Sequence, residues 1–369
     1  MCYNFHILPI EICRGCGASK FGSRWLSLFV FCIMRYGKLT STELRANVLD
    51  ILKARRNEVI VGPGAGEDCA VVRAVDGLVF LTCDPITGAA SDLGALAVNI
   101  NCNDLAASGA EPLGILISLL LPPSSSPDDV KAIMSDVEEA AKALRIDVLG
   151  GHTEFTPAVA RPIISATAVG TARKAIKGGG AQEGDAIVMT KTAGIEGTYI
   201  IAKDYAARLQ ELPLLAQKNV PEVTEADIAE ALTYIKRISV LPESRVMLKH
   251  EISAMHDATE GGILGAIAEL CRGNGLGAEI HENKIEVSEV TKKVCSRLNL
   301  NPFKLLSSGS LLCAVKKPKP LIEELQAAGI PAAVIGYVAP KERGIVSLGK
   351  KGAETPITEE PDEINKLFA

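Results

Sequence analysis

The chain has 369 residues, 22% of them charged, with a formal net charge of −5. That balance lacks the basic excess of a nucleic-acid groove, so no nucleic-acid partner is expected. The longest apolar run, "WLSLFVFCIM" at 25–34, is shorter than the roughly 18 residues a membrane span needs, and no membrane partner is expected either.

Residues 1–33 differ from the rest of the chain: they hold Trp25, the only tryptophan, and four of the ten cysteines. "MRYGKLTSTEL" from Met34 reads as a beginning, with Thr40 or Ser41 able to cap a helix over about 41–54, so 1–33 is expected to be an upstream extension. The rival reading is a zinc site of Cys2, His6, Cys13 and Cys16. The other cysteines are scattered through apolar surroundings, which points to reduced thiols in a cytoplasmic protein.

The glycine-rich loop "GPGAGED" at 62–68 precedes strands at 69–75 and 78–84, joined by the turn signal "DG". A helix over 91–109 follows, then an apolar strand at 113–122. "SSSPDD" opens a helix running to about Arg145, with Asp128 and Asp129 in its first turn. Strands at 147–151 and 160–172 complete a domain over 34–173, whose β-β-α-β-α-β-like order predicts an α+β sheet with helices on one face. "KAIKGGGAQEGDA" (174–186) reads as a linker. The second domain, 187–350, opens on the strand "AIVMTKT" and continues with helices near 196–209, 225–237 and 242–250. The strand "EISAMHD" then leads into a glycine-started helix, "GGILGAIAELCRG". Strands near 311–315 and 332–338 enclose a helix near 319–328, and a strand at about 344–348 precedes a polar tail, 351–369, expected to be mobile.

The helix over 91–109 carries Asn101, Asn103 and Asp104 among apolar residues. Burying such groups costs roughly 2–7 kcal/mol each unless something binds them. Asp68, Asp84 and Asp104 all interrupt or follow apolar runs. Clustered carboxylates repel unless a cation lies between them, and hard oxygen donors suit Mg²⁺ with bound phosphates. Gly62, Gly64 and Gly66 offer exposed amides for phosphate oxygens. No lysine follows as in a P-loop, and no G-x-G-x-x-G joins a strand to a helix. "GGHTEFTP" (150–157), "HDATEGG" (256–262) and "SSGS" (307–310) place polar side chains beside small residues where a ligand can approach; His152 and His256 stand in the first two.

"GEDCAVV", "TCDPIT", "NDLAASGAEP", "GGHTEFTP", "HDATEGG" and "SSGS" occur in the order seen in the aminoimidazole ribonucleotide (AIR) synthetase-like superfamily. That superfamily includes the hydrogenase maturation factor HypE, thiamine-monophosphate kinase and selenophosphate synthetase, and the chain resembles its HypE-like members most. The resemblance implies a PurM-like α+β fold of two domains. An N-terminal ferredoxin-like domain would pair with its twin into a barrel, giving a homodimer, and the C-terminal domain would be α/β. It implies ATP and Mg²⁺ in a cleft between the domains and across the dimer. Asp68, Asp84 and Asp104 would ligate metal and phosphates, and Asn103 would orient Asp104 or touch phosphate. Gly62, Gly64, Gly66, Thr153, Gly261 and Gly262 would contact the cofactor, and His152, Glu154 and Asp257 would carry catalysis. The expected chemistry is phosphorylation of an oxygen on an amide, carbamoyl or phosphate substrate. The alternatives are a nucleotide-binding scaffold without turnover and a small-molecule kinase of the thiamine-monophosphate type. HypE bears a C-terminal cysteine that receives a carbamoyl group, whereas this chain ends "EINKLFA", and its last cysteine is Cys313. The acceptor is therefore expected to be a free small molecule or the cysteine of a partner protein.

Overall fold

The computed structural model describes residues 42, 45–46, 57–61, 64, 66–211, 220–272, 275–349, 353–358 and 360–367. The extension 1–33, the zinc alternative within it, and Gly62 lie outside the described residues. Of the helix expected over 41–54, Thr42, Arg45 and Ala46 are described, and all three are helical. Both sheets and their helices belong to the unit Tyr36–Ala369.

The first sheet has six strands: β1 (Val59–Val61), β2 (Ala70–Ala74), β3 (Gly77–Ile86), β4 (Glu111–Leu121), β5 (Asp147–Phe155) and β6 (Ile163–Ala172). Their spatial order is β1-β2-β3-β6-β4-β5, with β4–β5 parallel and the other pairs antiparallel. Helices α1 (Leu93–Ala107) and α2 (Pro127–Leu144) connect β3 to β4 and β4 to β5. Ser126 and Asp129 close a reciprocal capping box at the start of α2. Only Ala95 and Asn99 of α1 escape full burial, so it shows no polar stripe; it packs on β3 and β6, on α2, and on the second domain's β8 (Ile252–Asp257) and α6 (Leu241–Met247). The other face of the sheet leaves Leu113, Leu116 and Leu149 exposed.

The second sheet has seven strands: β7 (Ala186–Thr190), β8, β9 (Gly277–His281), β10 (Leu311–Val315), β11 (Ala332–Ala339), β12 (Ile345–Leu348) and β13 (Glu354–Pro356). Their order is β13-β12-β9-β11-β7-β10-β8, antiparallel except for β12–β9. Beside α6, the helices are α3 (Ile195–Asp204), α4 (Ala206–Glu211), α5 (Glu225–Leu232), α7 (Gly262–Arg272), α8 (Glu289–Leu298) and α9 (Pro318–Ala327). Two sheet-containing domains with helices make this an α+β protein, as the sequence predicts. Among the described residues no helix is long and apolar enough to cross a membrane.

One segment departs from expectation. The tail is packed rather than mobile: β13 adds an edge strand, and Ile357, Ile364 and Leu367 are buried. The segment 174–186 joins the two sheets, and within it Gly178–Gly180 forms a 3-10 turn. A β-carbon on Gly180 would stand 2.1 Å from the Ser253 carbonyl oxygen, a contact that glycine alone tolerates.

Candidate active site

Four carboxylates converge where α1 meets β3 and β8. Thr82 and Asp84 are two residues apart on β3 and so share its inner face. The Thr82 hydroxyl donates to Oδ2 of Asp104 on α1 at 2.6 Å. The Asn101 amide fixes the backbone beside Asp84: its Oδ1 accepts from the Asp84 N–H at 2.9 Å, and its Nδ2 donates to the carbonyls of Asp84 and Ala97. Asp68 comes from the loop before β2, and Asp257 ends β8 in the second domain. One ligand atom each from Asp68, His256 and Asp257 lies within 4.8 Å of the other two.

The electrostatics follow from this crowding. Burial, and then the charges of Asp257, Asp84 and Asp68, hold the Asp104 carboxyl well above the usual range, against the opposing hydrogen bond from Thr82. Burial and the charge of Asp104 also push up the Cys69 thiol beside the cluster. His256 is the one group of opposite sign in this set. Its Nδ1 stands 2.6 Å from Asp68 Oδ1, and its Nε2 stands 2.7 Å from Oε2 of Glu269 on α7. Burial disfavours its charge, but the two carboxylates outweigh burial and hold its pKa well above the ordinary imidazole value. A set of acidic oxygens gathered from two domains, with one of them resisting ionisation, fits a hard divalent cation.

Asp68, Asp84 and Asp104 are thus brought together, and Asp257 joins them instead of standing apart. His152 and Glu154 are not brought there within one chain. They lie on edge strand β5, with His152 Nε2 3.2 Å from Glu154 Oε2 and side chains 65% and 48% exposed. His152 is in register with Ser118, Ser118 with Ser165, and Ser165 with Pro85. Ser118 is exposed between the buried Ile117 and Leu119, so this row faces away from α1. His152 is therefore three strands from β3, roughly 14 Å, and on the opposite face from Asp84. Thr153 shares the same exposed edge.

Asn103 has a different partner from the one expected. Its Nδ2 donates to the Ile238 carbonyl at 2.8 Å, and its Oδ1 accepts from the Val240 N–H at 2.9 Å. The amide thus clamps 238–240 to α1 and does not turn toward Asp104. Lys191 holds the same segment from the other side through the carbonyls of Arg237 and Ser239 and the buried carboxylate of Glu243. The glycines also have structural partners. The Gly261 N–H donates to Asp362 of the tail at 2.7 Å. A β-carbon on Gly262 would sit 2.6 Å from the Phe303 carbonyl oxygen. One on Gly66, at φ +79°, would sit 2.7 Å from the Glu269 carbonyl oxygen, and one on Gly178 would come within 1.8 Å of the Gly66 carbonyl oxygen. Gly64 packs near the Glu67 side chain.

Sequence reasoning missed Thr82 and Glu269, and singled out Asn101 as a polar anomaly without giving it a role. Thr82 and Asn101 stand within two or three residues of expected ligands, which is a usable signal. Glu269 gives none, because its role exists only once α7 lies beside β8.

The AIR synthase related protein N-terminal domain model matches residues 66–172, and the corresponding C-terminal domain model matches 182–349. The chain is 30% identical over 335 residues to a putative hydrogenase expression/formation protein of Methanocaldococcus jannaschii, covering 87% of this chain and 95% of that protein. It is 26% identical over 294 residues to the carbamoyl dehydratase HypE of Azotobacter vinelandii, covering 78% and 79%. The structure of the hydrogenase maturation protein HypE in complex with ATP superposes with a TM-score of 0.64 at 20% identity, covering 89% of this chain and 97% of that one, which establishes a shared fold.

Proposed function

The chain belongs to the AIR synthase related family, and on that premise we propose that it is an ATP-dependent enzyme of the HypE-like kind. In this reading it binds Mg²⁺ and ATP at the carboxylate cluster and phosphorylates an oxygen of an amide, carbamoyl or phosphate substrate. The observation that carries the reading is the convergence of Asp68, Asp84, Asp104 and Asp257 from two domains, with the Asp104 carboxyl held well above its ordinary range by burial and by the other three.

Asp68, Asp84, Asp104 and Asp257 would hold the cation. Bound Mg²⁺ supplies neutralisation of phosphate charge and alignment of the γ-phosphoryl group. The chain's own contribution is positional. Thr82 and Asn101 fix Asp104 and the Asp84 backbone, and α1 excludes water from behind the cluster. Fixed ligands need no rearrangement as charge develops, which is where such sites gain rate.

A homodimer is part of this reading. The outer face of the first sheet carries Leu113, Leu116 and Leu149, an apolar surface that a second copy would cover. His152 and Glu154 share that face, so their catalytic role would be exercised in the site of the other copy. The acceptor is proposed to be a free small molecule. Cys313 is fully buried in β10, and the packed tail carries no thiol to receive a carbamoyl group. A cysteine presented by a partner protein is the competing acceptor. Among the described residues six cysteines are free and five of them are buried, in keeping with a reducing, cytoplasmic setting.

The test is ADP formation by the purified full-length chain against a panel of small amides, carbamoyl compounds and phosphorylated vitamins. Turnover that disappears in Asp104→Asn supports the enzyme. Tight Mg·ATP binding without turnover on any acceptor would leave a scaffold, and turnover only with a cysteine-bearing protein would replace the small-molecule acceptor.

A further inference from the structure

We propose that Arg237, Thr192 and Ser308 form a subsite for an anionic group, a carboxylate or a phosphate, carried by the acceptor beside the carboxylate cluster. The inference rests on the metal–nucleotide reading of that cluster and deepens it by making the acceptor a small anion.

The loop "SSGS" (307–310) places the subsite. On one side it is bonded to the two residues after Asp257: the Ala258 N–H donates to the Ser310 carbonyl at 2.9 Å, and the Ser307 N–H donates to the Thr259 carbonyl at 3.3 Å. On the other side it lies on Arg237, because a β-carbon on Gly309, at φ +106°, would stand 2.7 Å from the Arg237 carbonyl oxygen. A third link joins the loop to the residues after β7, where Ser310 Oγ donates to the Thr192 carbonyl at 2.7 Å. Asn103, beside Asp104, holds Ile238 and Val240. Arg237 therefore adjoins a segment tied to α1, and a single loop separates it from Asp257.

The guanidinium is prepared for an anion. It stacks on the buried Tyr234 ring, 4.8 Å from the centroid, and donates to Thr192 Oγ1 at 3.3 Å. An arginine has five N–H donors, and its planar fork meets two carboxylate or phosphate oxygens at once. Among the described residues no carboxylate is ion-paired with Arg237, whereas Lys191 next to it is engaged by Glu243 and by the carbonyls of Arg237 and Ser239. Burial, and then the charge of Arg237, disfavour the Lys191 ammonium, with Glu243 opposing both. An anion on Arg237 would relieve that repulsion. Ser308 points to a ligand independently: it is fully buried, and among the described residues its hydroxyl has no hydrogen-bond partner. Folded proteins seldom leave a buried hydroxyl unsatisfied.

The test is calorimetric titration of the full-length chain with N-carbamoylglycine, its neutral amide and inorganic phosphate. Each probe is titrated without nucleotide and again with Mg²⁺ and a non-hydrolysable ATP analogue. Wild type is expected to bind one of the two anions at least roughly tenfold more tightly than the neutral amide, the worth of a hydrogen bond to a charged group. Preference for N-carbamoylglycine assigns the subsite to a carboxylate, and preference for inorganic phosphate assigns it to a phosphate. Arg237→Gln is expected to lose roughly 10–100-fold in affinity for that anion, with affinity for the neutral amide and the ATP analogue unchanged. Ser308→Ala is expected to lose about three- to tenfold while keeping the wild-type Tm, because it removes a hydroxyl that has no partner in the free protein. If Arg237→Gln does not fold, Arg237→Lys, which keeps the charge without the fork, is expected to lose at least about threefold. No anion binding in the wild type, or equal anion affinity in wild type and the Arg237 variant, overturns the inference. A parallel loss of ATP-analogue affinity overturns it too, since Arg237 would then serve the nucleotide. Absence of metal-dependent ATP binding, with the anion results as expected, overturns the reading of the cluster instead.

Discussion

Replacing Asp104 by asparagine should stabilise the ligand-free protein while abolishing its response to Mg·ATP. Asp104 is buried, and its charge is opposed by burial and by Asp257, Asp84 and Asp68. Two carboxylates about 5 Å apart repel by about 3 kcal/mol at an effective dielectric of 20. Asparagine keeps the shape and an oxygen to accept the Thr82 hydroxyl, so the hydrogen bond persists while the repulsion is relieved. Allowing for the weaker amide acceptor, the net gain is about 1–3 kcal/mol in EDTA. A gain of about 2 kcal/mol corresponds to roughly 4–8 °C in Tm for domains of this size. The assay is thermal unfolding of the full-length chain at pH 8, once in EDTA and once with saturating Mg·ATP. Wild type should gain about 2.7 kcal/mol at a ligand concentration one hundred times Kd, and the variant should gain almost nothing. A variant that is less stable in EDTA and responds normally to Mg·ATP would refute the claim that these carboxylates are held together for a cation.

Three further outcomes concern other contacts. Asn103→Ala leaves the Ile238 carbonyl and the Val240 N–H buried without their partner and should cost about 2–4 kcal/mol in thermal or urea unfolding; a cost below about 0.5 kcal/mol would show that the clamp does not matter. Gly178→Ala puts a methyl 1.8 Å from the Gly66 carbonyl oxygen, so it should destabilise the protein by at least about 2 kcal/mol and weaken Mg·ATP binding; an alanine variant matching wild type in both would contradict that packing. Burial raises the Asp362 carboxyl to about 7, against the backbone hydrogen bonds it accepts. Because the folded value lies above the unfolded one, this group's contribution is complete below about pH 4 and is lost as pH rises through 7. Asp362→Asn should therefore raise Tm at pH 8 and leave it nearly unchanged at pH 4, whereas a lower Tm at pH 8 would mean that the backbone donors dominate.

Much of the first domain is legible in the sequence because its elements carry local signals. The turn "DG" between β2 and β3, the capping box at Ser126 and the apolar run of β4 each declare their structure within a few residues. The second domain is harder to read. The helix expected over 196–209 breaks at Tyr205 into α3 and α4, and β9 and α8 are not among the expected elements, although Ser288 caps the start of α8 and Asn299 its end. The tail looks mobile because its few apolar residues, Ile357, Ile364 and Leu367, are spaced without a period; their burial depends on a groove supplied by distant elements. In the site, the anomaly of Asp104 inside an apolar helix is visible from sequence, and the structure surrounds it with other acids. The neighbouring anomaly of Asn103 looks the same in sequence but has a structural cause, since its partners at 238–240 lie about 135 residues away. A buried amide and a buried carboxylate raise the same question in one dimension, and three-dimensional contacts answer it differently for each.

The most direct test of the central claim is calorimetric titration of ATP into the full-length wild-type chain, once with Mg²⁺ and once in EDTA. A cluster of four carboxylates repels the triphosphate unless a cation lies between them. The account therefore predicts binding at least roughly tenfold tighter with Mg²⁺, a difference of about 1.4 kcal/mol. Equal affinity under the two conditions, or no binding in either, would contradict it.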